Sequence, residues 1–533
     1  MSNQQPPIRI VILGGGFGGL YTAYHLEKLL KHNDSVEIIL INRDNYFVYQ
    51  PMLAEVVGGS VGILDTVSNL KSLLKKTKIY VREIESIDVE GKTIYLTPRF
   101  SHSHEPVKFD YLVFGLGNVT DFKGMPGLHE HALPFKNLAD ALNIRNRLIE
   151  IVEDAANTEN PILKKELLTV VVGGGGFSGT EVIAEVNDFI RRIVKGYKSI
   201  SSDDIRIVLV HSKDRLMERE LSPSLSAYAE KILRKKGVEI IFNTQLVAAS
   251  QQEAVLSNGL RIAAKTIIST VPSSPNPLIT GLKIPQDKGK ILCMNTMQVE
   301  NYENLFAIGD CAKIPLKDNQ PCPPTAQFAV REGKTLAYNI YAKIVGKPQK
   351  SFYFKALGMM GALGHLSAVG EFFGCIKVSG FLAWLMWRAV YWMKLPGIDR
   401  KLKVLFSWIL DMIIPPETVQ LKIEPSQGII PLHYETNETI FHEGDIGDYL
   451  YIITKGKVEV LKNIEGKSTP VATLCQGEYF GEMALVNQRT RSATIRCIEP
   501  TDVLALRKRD FGLLVSSFAQ LRAEFEKSSS QRT

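Results

Sequence analysis

The stretch VILGGGFGG, residues 11–19, decides how the first part of the chain folds. It ends an apolar run with glycines in the spacing G-x-G-x-x-G and leads into a helical pattern over residues 20–30. Glycines so placed allow a tight turn, close approach of backbone amides to a pyrophosphate, and close packing of the helix on the strand. Because phosphates bind at helix N-termini, we expect a dinucleotide here, with a plain structural turn as the alternative. The loop residues are Gly14, Gly16, Phe17, Gly18 and Gly19.

The same arrangement returns at residues 168–179, LTVVVGGGGFSG. A strand again ends in glycines, and the helix that follows carries Glu181 in its first turn. Two such units in one chain predict an α/β protein with two dinucleotide-binding, Rossmann-type domains. A duplicated fold without ligands is the alternative. The residues of this second loop are Gly174, Gly176, Phe177 and Gly179.

The strand after each glycine loop delivers one residue to the ribose of the nucleotide. An acidic residue is usual there, but this chain has Asn42 in the first unit and His211 in the second. Asn42 still accepts hydrogen bonds, without a charge. At His211 the missing acid removes a repulsion towards a 2′-phosphate, and Lys213 and Arg215 follow closely. NADPH is therefore open as a substrate beside NADH, and use of NADH alone is the other interpretation.

Length and composition narrow the class of protein. A chain of 533 residues is too long for one core and predicts about three or four domains. The six cysteines form no C-x-x-C pair, which indicates reduced thiols and argues against a disulfide scaffold or a metal site. The first residues, MSNQQPPIRI, resemble neither a secretory signal nor a presequence, so we expect a cytoplasmic protein.

Further motifs carry a resemblance to a known family. Residues 109–117, FDYLVFGLG, end in another glycine turn; residues 304–310, NLFAIGD, end in Gly-Asp; and PPTAQFAVREGK follows at residues 323–334. The order of these motifs after the two glycine loops resembles the type II NADH dehydrogenases over roughly residues 8–414. Those enzymes are single-chain, non-pumping NADH:quinone oxidoreductases that use FAD.

The resemblance implies a role for each matching residue. Glu181 and Gln327 would be the catalytic residues, which tune the quinone side and guide protons to it. FAD would be bound by Gly14, Gly16, Phe17, Gly18, Gly19, Asn42, Gly117, Asp310, Ala326 and Gln327. NADH or NADPH would be bound by Gly174, Gly176, Phe177, Gly179, Glu181 and His211.

Cysteine positions argue against two other flavoenzyme classes of this architecture. Disulfide reductases need a C-x4-C pair soon after the first ribose strand, and residues 42–75 contain no cysteine. Sulfide:quinone reductases need a set of reactive cysteines, and Cys311 and Cys322 have no third partner placed for that role.

Residues 351–414 differ from the rest of the chain because they hold all four tryptophans, Trp384, Trp387, Trp392 and Trp408. Basic residues are interleaved with them, and neither half reaches about twenty uninterrupted apolar residues. This composition is typical of amphipathic helices in a membrane interface. A helix pair packed inside the protein is the alternative. The resemblance favours the membrane, so we expect a peripheral protein on the cytoplasmic face of the inner membrane.

Beyond a predicted linker, residues 415–431, short alternating strands precede FGEMALVNQRTRSATI, residues 480–495. Residues 431–525 resemble the cyclic-nucleotide-binding domain, a small β-barrel or jelly roll. Glu482 would accept from the ribose 2′-hydroxyl and Arg491 would pair with the cyclic phosphate of cAMP or cGMP; a silent module is the alternative. The site residues are Gly481, Glu482, Met483, Arg491 and Ser492. No helix-turn-helix follows, so no nucleic-acid partner is expected.

The sequence thus predicts an FAD-dependent NAD(P)H:quinone oxidoreductase that passes two electrons to a membrane quinone without pumping protons, under the control of a cyclic nucleotide. A redox and cyclic-nucleotide sensor with little turnover is the alternative, and a homodimer is compatible with the sequence. The predicted domains are the FAD-binding domain, residues 1–135 and 286–350; the NAD(P)H-binding domain, 136–285; the membrane-association region, 351–414; the linker, 415–431; and the cyclic-nucleotide-binding domain, 432–533.

Overall fold

The computed structural model of the protein divides into two compact units, Met1–Leu421 and Lys422–Thr533. The first unit contains both glycine loops, and the second contains the predicted cyclic-nucleotide-binding domain. The structure describes residues 6–97, 105–120, 122, 125–250, 252–270, 274–316, 320–421, 429–434, 436–445, 449–464, 467–482 and 491–507.

A five-stranded parallel sheet supports the first glycine loop. Residues 10–13 are completely buried, as expected of a parallel strand covered by helices on both faces. Leu13 pairs with Ile41, so the register places Asn42 beside the glycine loop. In spatial order the strands are Leu305–Ala307, Tyr111–Phe114, Ile8–Leu13, Val36–Asn42 and Lys78–Val81.

A second five-stranded parallel sheet supports the second glycine loop. Gly173 pairs with Val210, which places His211 beside that loop in the same way. The two sheets confirm the duplicated α/β fold predicted from the repeated glycine motif. In spatial order the strands are Ala132–Pro134, Thr266–Ser269, Thr169–Gly173, Arg206–Val210 and Val238–Ile241.

Helices cover both sheets. Helices α1 (Phe17–Leu29) and α10 (Ala326–Ile344) pack closely, since a side chain on Gly333 would lie 2.8 Å from the carbonyl oxygen of Gly18. Within the described residues the helices are α1 (Phe17–Leu29), α2 (Leu53–Gly58), α3 (Leu70–Leu73), α4 (Leu128–His131), α5 (Leu138–Asn157), α6 (Pro161–Leu167), α7 (Phe177–Ile193), α8 (Pro223–Lys235), α9 (Pro277–Thr280), α10 (Ala326–Ile344), α11 (Gly380–Lys394) and α12 (Ile398–Asp411).

Smaller sheets fill the loops between these elements. The strands, grouped by sheet, are Tyr46–Val48 and Val67–Asn69; Ile84–Asp88, Thr93–Leu96 and Glu105–Lys108; Asn118–Val119 and Ser274–Pro275; Leu246–Ala249, Glu253–Leu256 and Arg261–Ala263; Gln286–Asp287, Lys290–Leu292 and Ala312–Lys313; and Gly358–Ala362, Ala368–Phe372 and Ile376–Ser379. The last sheet corrects the prediction for residues 351–414, because helices begin only at Gly380 and antiparallel strands precede them.

Three of the four tryptophans of α11 and α12 face the protein, and Trp392 is half-buried. Trp384, Trp387 and Trp408 are only 4%, 2% and 5% exposed, whereas Phe406 and Ile413 are 61% and 76% exposed. The alternative of a packed aromatic pair therefore describes the inner face of these helices, and aliphatic residues and phenylalanines form the outer face. None of the helices in the described ranges combines the length and apolar content needed to cross a bilayer.

Residues 412–421, which we name the strap, continue from α12 across α5 and belong to the first unit. The Asn146 side chain donates to the carbonyl of Leu421 at 2.7 Å and accepts from its amide at 3.1 Å. The predicted linker of residues 415–431 is therefore attached to the first unit over its first seven residues.

Within its described residues, the second unit contains two four-stranded antiparallel sheets. Their apolar sides share one core that includes Phe441, Tyr451 and Phe480. This arrangement agrees with the predicted small β-barrel. In spatial order the strands are Ile429–Tyr434, Thr501–Arg507, Tyr449–Lys455 and Tyr479–Phe480 in one sheet, and Thr439–Phe441, Thr494–Cys497, Lys457–Ile464 and Lys467–Cys475 in the other.

Candidate functional site

In the first glycine loop, Gly14 and Gly19 are packed closely against backbone atoms, whereas Gly16 borders open space. A side chain on Gly14 would lie 2.4 Å from the carbonyl oxygen of Gly115, and one on Gly19 would lie 1.9 Å from the carbonyl oxygen of Gly14. Beside Gly16 there is open space. Helix α1 begins after Gly16 with no side-chain cap and no acidic residue in its first turn. The loop therefore presents uncapped amides to an open cradle, which fits the pyrophosphate of FAD.

Asn42 supports this loop from the neighbouring strand. Its Oδ1 accepts a hydrogen bond from the Gly15 amide at 2.8 Å, and its Nδ2 donates to the carbonyl of Asp44 at 2.7 Å. The uncharged side chain therefore holds the glycine loop in place. Contact with a ribose hydroxyl stays a prediction.

The second glycine loop repeats these features. A side chain on Gly179 would lie 1.8 Å from the carbonyl oxygen of Gly174, while the atom nearest to one on Gly176 lies 3.8 Å away. The Gly175 amide donates to His211 Nδ1 at 3.0 Å. The His211 side chain is half-buried, and burial lowers the pKa of this histidine. The site therefore presents a neutral imidazole.

Arg215, the second cation that follows His211 in the sequence, is half-buried and bonded to the protein backbone. Its guanidinium donates to the backbone carbonyls of Leu221 and Glu218 at 3.1 and 2.9 Å. These bonds are available because the chain turns back over the arginine after the strand. Lys213 is exposed.

The Gly-Asp motif lies against the first glycine loop. Ile308 contacts Gly18 closely, with 2.8 Å between its Cδ1 atom and a side chain placed on that glycine. The turn Gly309–Cys311 then carries Asp310. Glu332 accepts from the Gly309 amide at 2.8 Å and fixes the turn. Asp310 is thus close to the proposed FAD pyrophosphate site, and Gly117, predicted with it, has open space beside its Cα.

Both glycine loops meet at one cavity of about 1030 Å³, the main cavity. Phe17 of the first loop and Phe177 of the second both line it, with Glu181, Ala326 and Gln327. The structure therefore brings together the predicted catalytic residues and one residue from each nucleotide loop. Sequence reasoning missed several further lining residues, among them Tyr49, Thr325, Tyr391 and Lys394.

Glu181 is the fifth residue of α7 and so lies in its second turn, not its first. Its Oε1 accepts from the Ala362 amide at 3.0 Å. The residue is partly accessible through the cavity, yet protein atoms enclose its carboxyl. This burial raises the pKa of Glu181 to about 8, and Glu55 nearby acts in the same direction. The carboxyl therefore holds a proton at neutral pH.

The start of α10 provides polar groups at one wall of the main cavity. The helix begins at Ala326 and Gln327 after Thr325, whose side chain makes no capping bond. Thr325 Oγ1 is buried without a hydrogen-bond partner in the structure. An orphaned hydroxyl and uncapped amides at a cavity wall fit the polar edge of a flavin ring.

The second unit places Gly481, Glu482 and Arg491 together. The Arg491 guanidinium donates to the carbonyls of Gly481 at 2.7 Å and Tyr449 at 2.8 Å, and lies 4.1 Å from the ring centre of Phe441. Glu482 and Arg491 are 2% and 4% exposed. Ser492 is exposed, and Met483 lies outside the described residues.

Comparison with known proteins identifies the family. Residues 8–333 match the family described as pyridine nucleotide-disulphide oxidoreductase. The chain belongs to this family. Residues 431–518 match the cyclic nucleotide-binding domain.

Two relatives of this flavoprotein extend the match. The chain is 30% identical to the demethylphylloquinone reductase of Synechocystis over 434 residues, which are 80% of this chain and 100% of the relative. It is 28% identical to a type II NADH:quinone oxidoreductase of Staphylococcus epidermidis over 405 residues, 74% of this chain and 98% of the relative.

Solved structures support the fold. The structure of NDH2 from Plasmodium falciparum in complex with NADH matches with a TM-score of 0.71 at 20% sequence identity. The match covers 77% of this chain and 99% of the NDH2 chain. The sulfide:quinone oxidoreductase of Aquifex aeolicus has a TM-score of 0.59 at 19% identity, over 76% and 95% of the two chains. Together the matches confirm the predicted fold class, the kinship with type II NADH dehydrogenases, and FAD and NADH as the cofactors of this class.

Proposed function

We propose that this protein is an FAD-dependent NADH:quinone oxidoreductase of the membrane surface, with a domain that senses a cyclic nucleotide. The main cavity carries the proposal, because Phe17, Phe177, Glu181 and Gln327 line one space. A nicotinamide, a flavin ring and a quinone all have to meet for the reaction. The names of the relatives, a quinone reductase and an NADH:quinone oxidoreductase, support the same chemistry.

Each part of the site has a role in this reaction. The amides after Gly16 would hold the FAD pyrophosphate, and those after Gly176 the pyrophosphate of NADH. When bound, FAD would supply the redox chemistry, which is hydride acceptance from NADH and transfer of two electrons to the quinone. The net reaction, NADH + quinone + H⁺ → NAD⁺ + quinol, takes one proton from solution. Glu181, protonated at neutral pH and lining the cavity, is our choice for the group that delivers it.

A steady-state assay tests this function. Purified protein loaded with FAD is mixed with NADH and a water-soluble quinone. An enzyme oxidises many NADH molecules per flavin, and oxidation depends on the quinone. A single turnover per flavin would instead support the alternative, a redox and cyclic-nucleotide sensor.

The outer faces of α11, α12 and the strap are our proposed membrane contact. They expose many apolar side chains, and Lys394 and Lys403 on the same helices are exposed as well. Such a surface suits the boundary between lipid headgroups and acyl chains. The set comprises Phe381, Leu382, Leu385, Met393, Leu402, Leu405, Phe406, Ile409, Leu410, Met412, Ile413 and Ile414.

Substitutions on the outer face test the membrane contact. We expect Phe406→Ser with Ile409→Ser to reduce co-sedimentation with anionic phospholipid vesicles and to leave the reduction of a water-soluble quinone intact. Ile162→Ser is the control, because Ile162 is 70% exposed on α6. Trp384 and Trp387 are unsuitable targets, since both are buried. Equal vesicle binding by the double variant and the control would contradict this surface.

The cyclic-nucleotide site is proposed from Glu482 and Arg491. Backbone carbonyls and the ring of Phe441 already orient the arginine, and a guanidinium pairs well with a phosphate. Calorimetric titration with cAMP and with cGMP tests the proposal. Absence of heat with both nucleotides would identify a silent module.

A further inference from the structure

The strap, residues 412–421, follows helices α11 and α12 and leads to the second unit, which begins at Lys422. Side chains on two different helices hold it. Arg192 at the end of α7 donates to the carbonyl of Asp411 at 3.0 Å and to that of Ile414 at 3.3 Å. Arg145 on α5 donates to the carbonyl of Glu417 at 2.6 Å.

Asn146 completes the attachment through its two hydrogen bonds to the backbone of Leu421. Most side chains of the strap are exposed, with Val419 and Leu421 at 63% and 49%, whereas Pro416 is buried. The polar side chains on α5 and α7 therefore hold this segment together with the packing of Pro416.

Arg145 also connects the strap to α2. A side chain on Gly59, which ends α2 with φ +78°, would lie 2.2 Å from the guanidinium. The same guanidinium lies 4.9 Å from the ring centre of Phe189 on α7. Its Nη1 atom is buried without a hydrogen-bond partner in the structure. Movement of the strap would therefore displace a group wedged between α2 and α7.

Both of these helices reach the main cavity. Ala54 of α2 and Glu181 of α7 line it. A further connection starts from α12, where Trp408 Nε1 donates to Glu55 of α2 at 3.0 Å. The strap is thus joined to two walls of the cavity by hydrogen bonds and direct packing.

We propose that the strap is the mechanical link between the two units, and that Arg145 and Asn146 form its latch on the catalytic unit. Cyclic-nucleotide binding shifts the strap on this latch and so changes the walls of the main cavity that Ala54 of α2 and Glu181 of α7 line. The inference rests on the proposed function, since it needs both quinone turnover and nucleotide binding. A ligand acts in this way only through a different affinity for the two strap positions.

The test compares two double variants of the FAD-loaded full-length protein. Arg145→Met with Asn146→Ala removes the latch. Asn143→Ala with Arg147→Met changes the same residue types on α5; Asn143 is exposed, and Arg147 bonds to Glu150 and to the Lys265 carbonyl rather than to the strap.

In the wild type and the control we expect a saturating cyclic nucleotide to change the kcat or KM for quinone by roughly fivefold or more. Hydrogen exchange of residues 412–421 should change with it. The latch variant should bind the nucleotide with the same affinity, shown by calorimetry, while its quinone kinetics no longer respond.

Several results would overturn the link. One is a full nucleotide response in the latch variant; another is a response in the wild type without any change in exchange over residues 412–421. Absence of quinone turnover in the wild type, or of nucleotide binding, would refute the proposed function and this inference with it. A wild type that turns over and binds nucleotide without a kinetic response would refute the inference alone.

Discussion

Replacement of Glu181 by Gln is the sharpest test of how protons reach the quinone. The substitution keeps the shape and one oxygen that can accept from the Ala362 amide, but it removes the ionisable group. With a pKa of about 8, roughly nine in ten molecules hold this proton at pH 7. We therefore expect kcat for quinone reduction in the wild type to fall as the pH rises through about 8.

The size of the effect of pH on stability follows from the burial of the Glu181 carboxyl. A shift from the ordinary value of 4.5 to about 8 corresponds to roughly 5 kcal/mol against the ionised form. The folded state then binds a proton that the unfolded state releases between these two values. The stability of the wild type should therefore decrease as the pH rises from 4.5 to about 8, and Glu181→Gln should lack that part of the decrease.

Two measurements decide the matter. The first is kcat across pH with a soluble quinone, where the Gln variant should be slower at neutral pH, by roughly a hundredfold, and should not show the wild-type decline. The second is denaturant unfolding across the same range. If both proteins share one pH profile in kcat, Glu181 does not deliver the proton.

Three further outcomes are expected. Because burial keeps His211 neutral, the ratio of kcat/KM for NADPH to that for NADH should rise as the pH falls and the imidazole gains a proton; in His211→Glu the ratio should be lower throughout, and an equal ratio would contradict the assignment. Gly19→Ala should yield protein that shows no bound FAD in its absorbance spectrum, because the added methyl group would lie 1.9 Å from a backbone oxygen. Gly259→Ala is the comparison, because Gly259 has open space around it and only a positive φ to lose; this variant should retain FAD. Arg491→Ala should abolish cyclic-nucleotide binding by calorimetry and leave basal NADH oxidation unchanged; retained affinity would place the phosphate elsewhere.

The two glycine loops could be predicted from the sequence because the interactions that form them are between residues close together in the chain. The spacing of Gly14, Gly16 and Gly19 encodes a turn, an open cradle and a helix contact within six residues. The register of the next strand then places Asn42 and His211 without further information. The main cavity was predictable in part, since Glu181 and Gln327 follow recognisable motifs.

Contacts between distant segments could not be predicted in this way. Trp408 and Glu55 share a hydrogen bond across 353 positions of sequence, and no local pattern announces it. The interleaving of aromatic and basic residues in α11 and α12 indicated amphipathic helices correctly. It did not reveal that Arg388 is buried with the tryptophans, 3.9 Å from the ring centre of Trp384. Which side of such a helix is buried depends on the partner surface.

The clustering of tryptophan makes the protein its own optical reporter. All four tryptophans lie within residues 384–408, so they belong to the first unit and none belongs to the second. Trp387 lies 4.5 Å from the ring centre of Tyr391, at the wall of the main cavity. Excitation at the red edge of the protein absorption band excites the tryptophans and therefore selects α11 and α12. These helices lie beside the proposed flavin, and energy transfer to that flavin would quench the tryptophan emission. A change in that emission when a cyclic nucleotide is added would report a response of the first unit, so the unlabelled wild-type protein can be used to time that response.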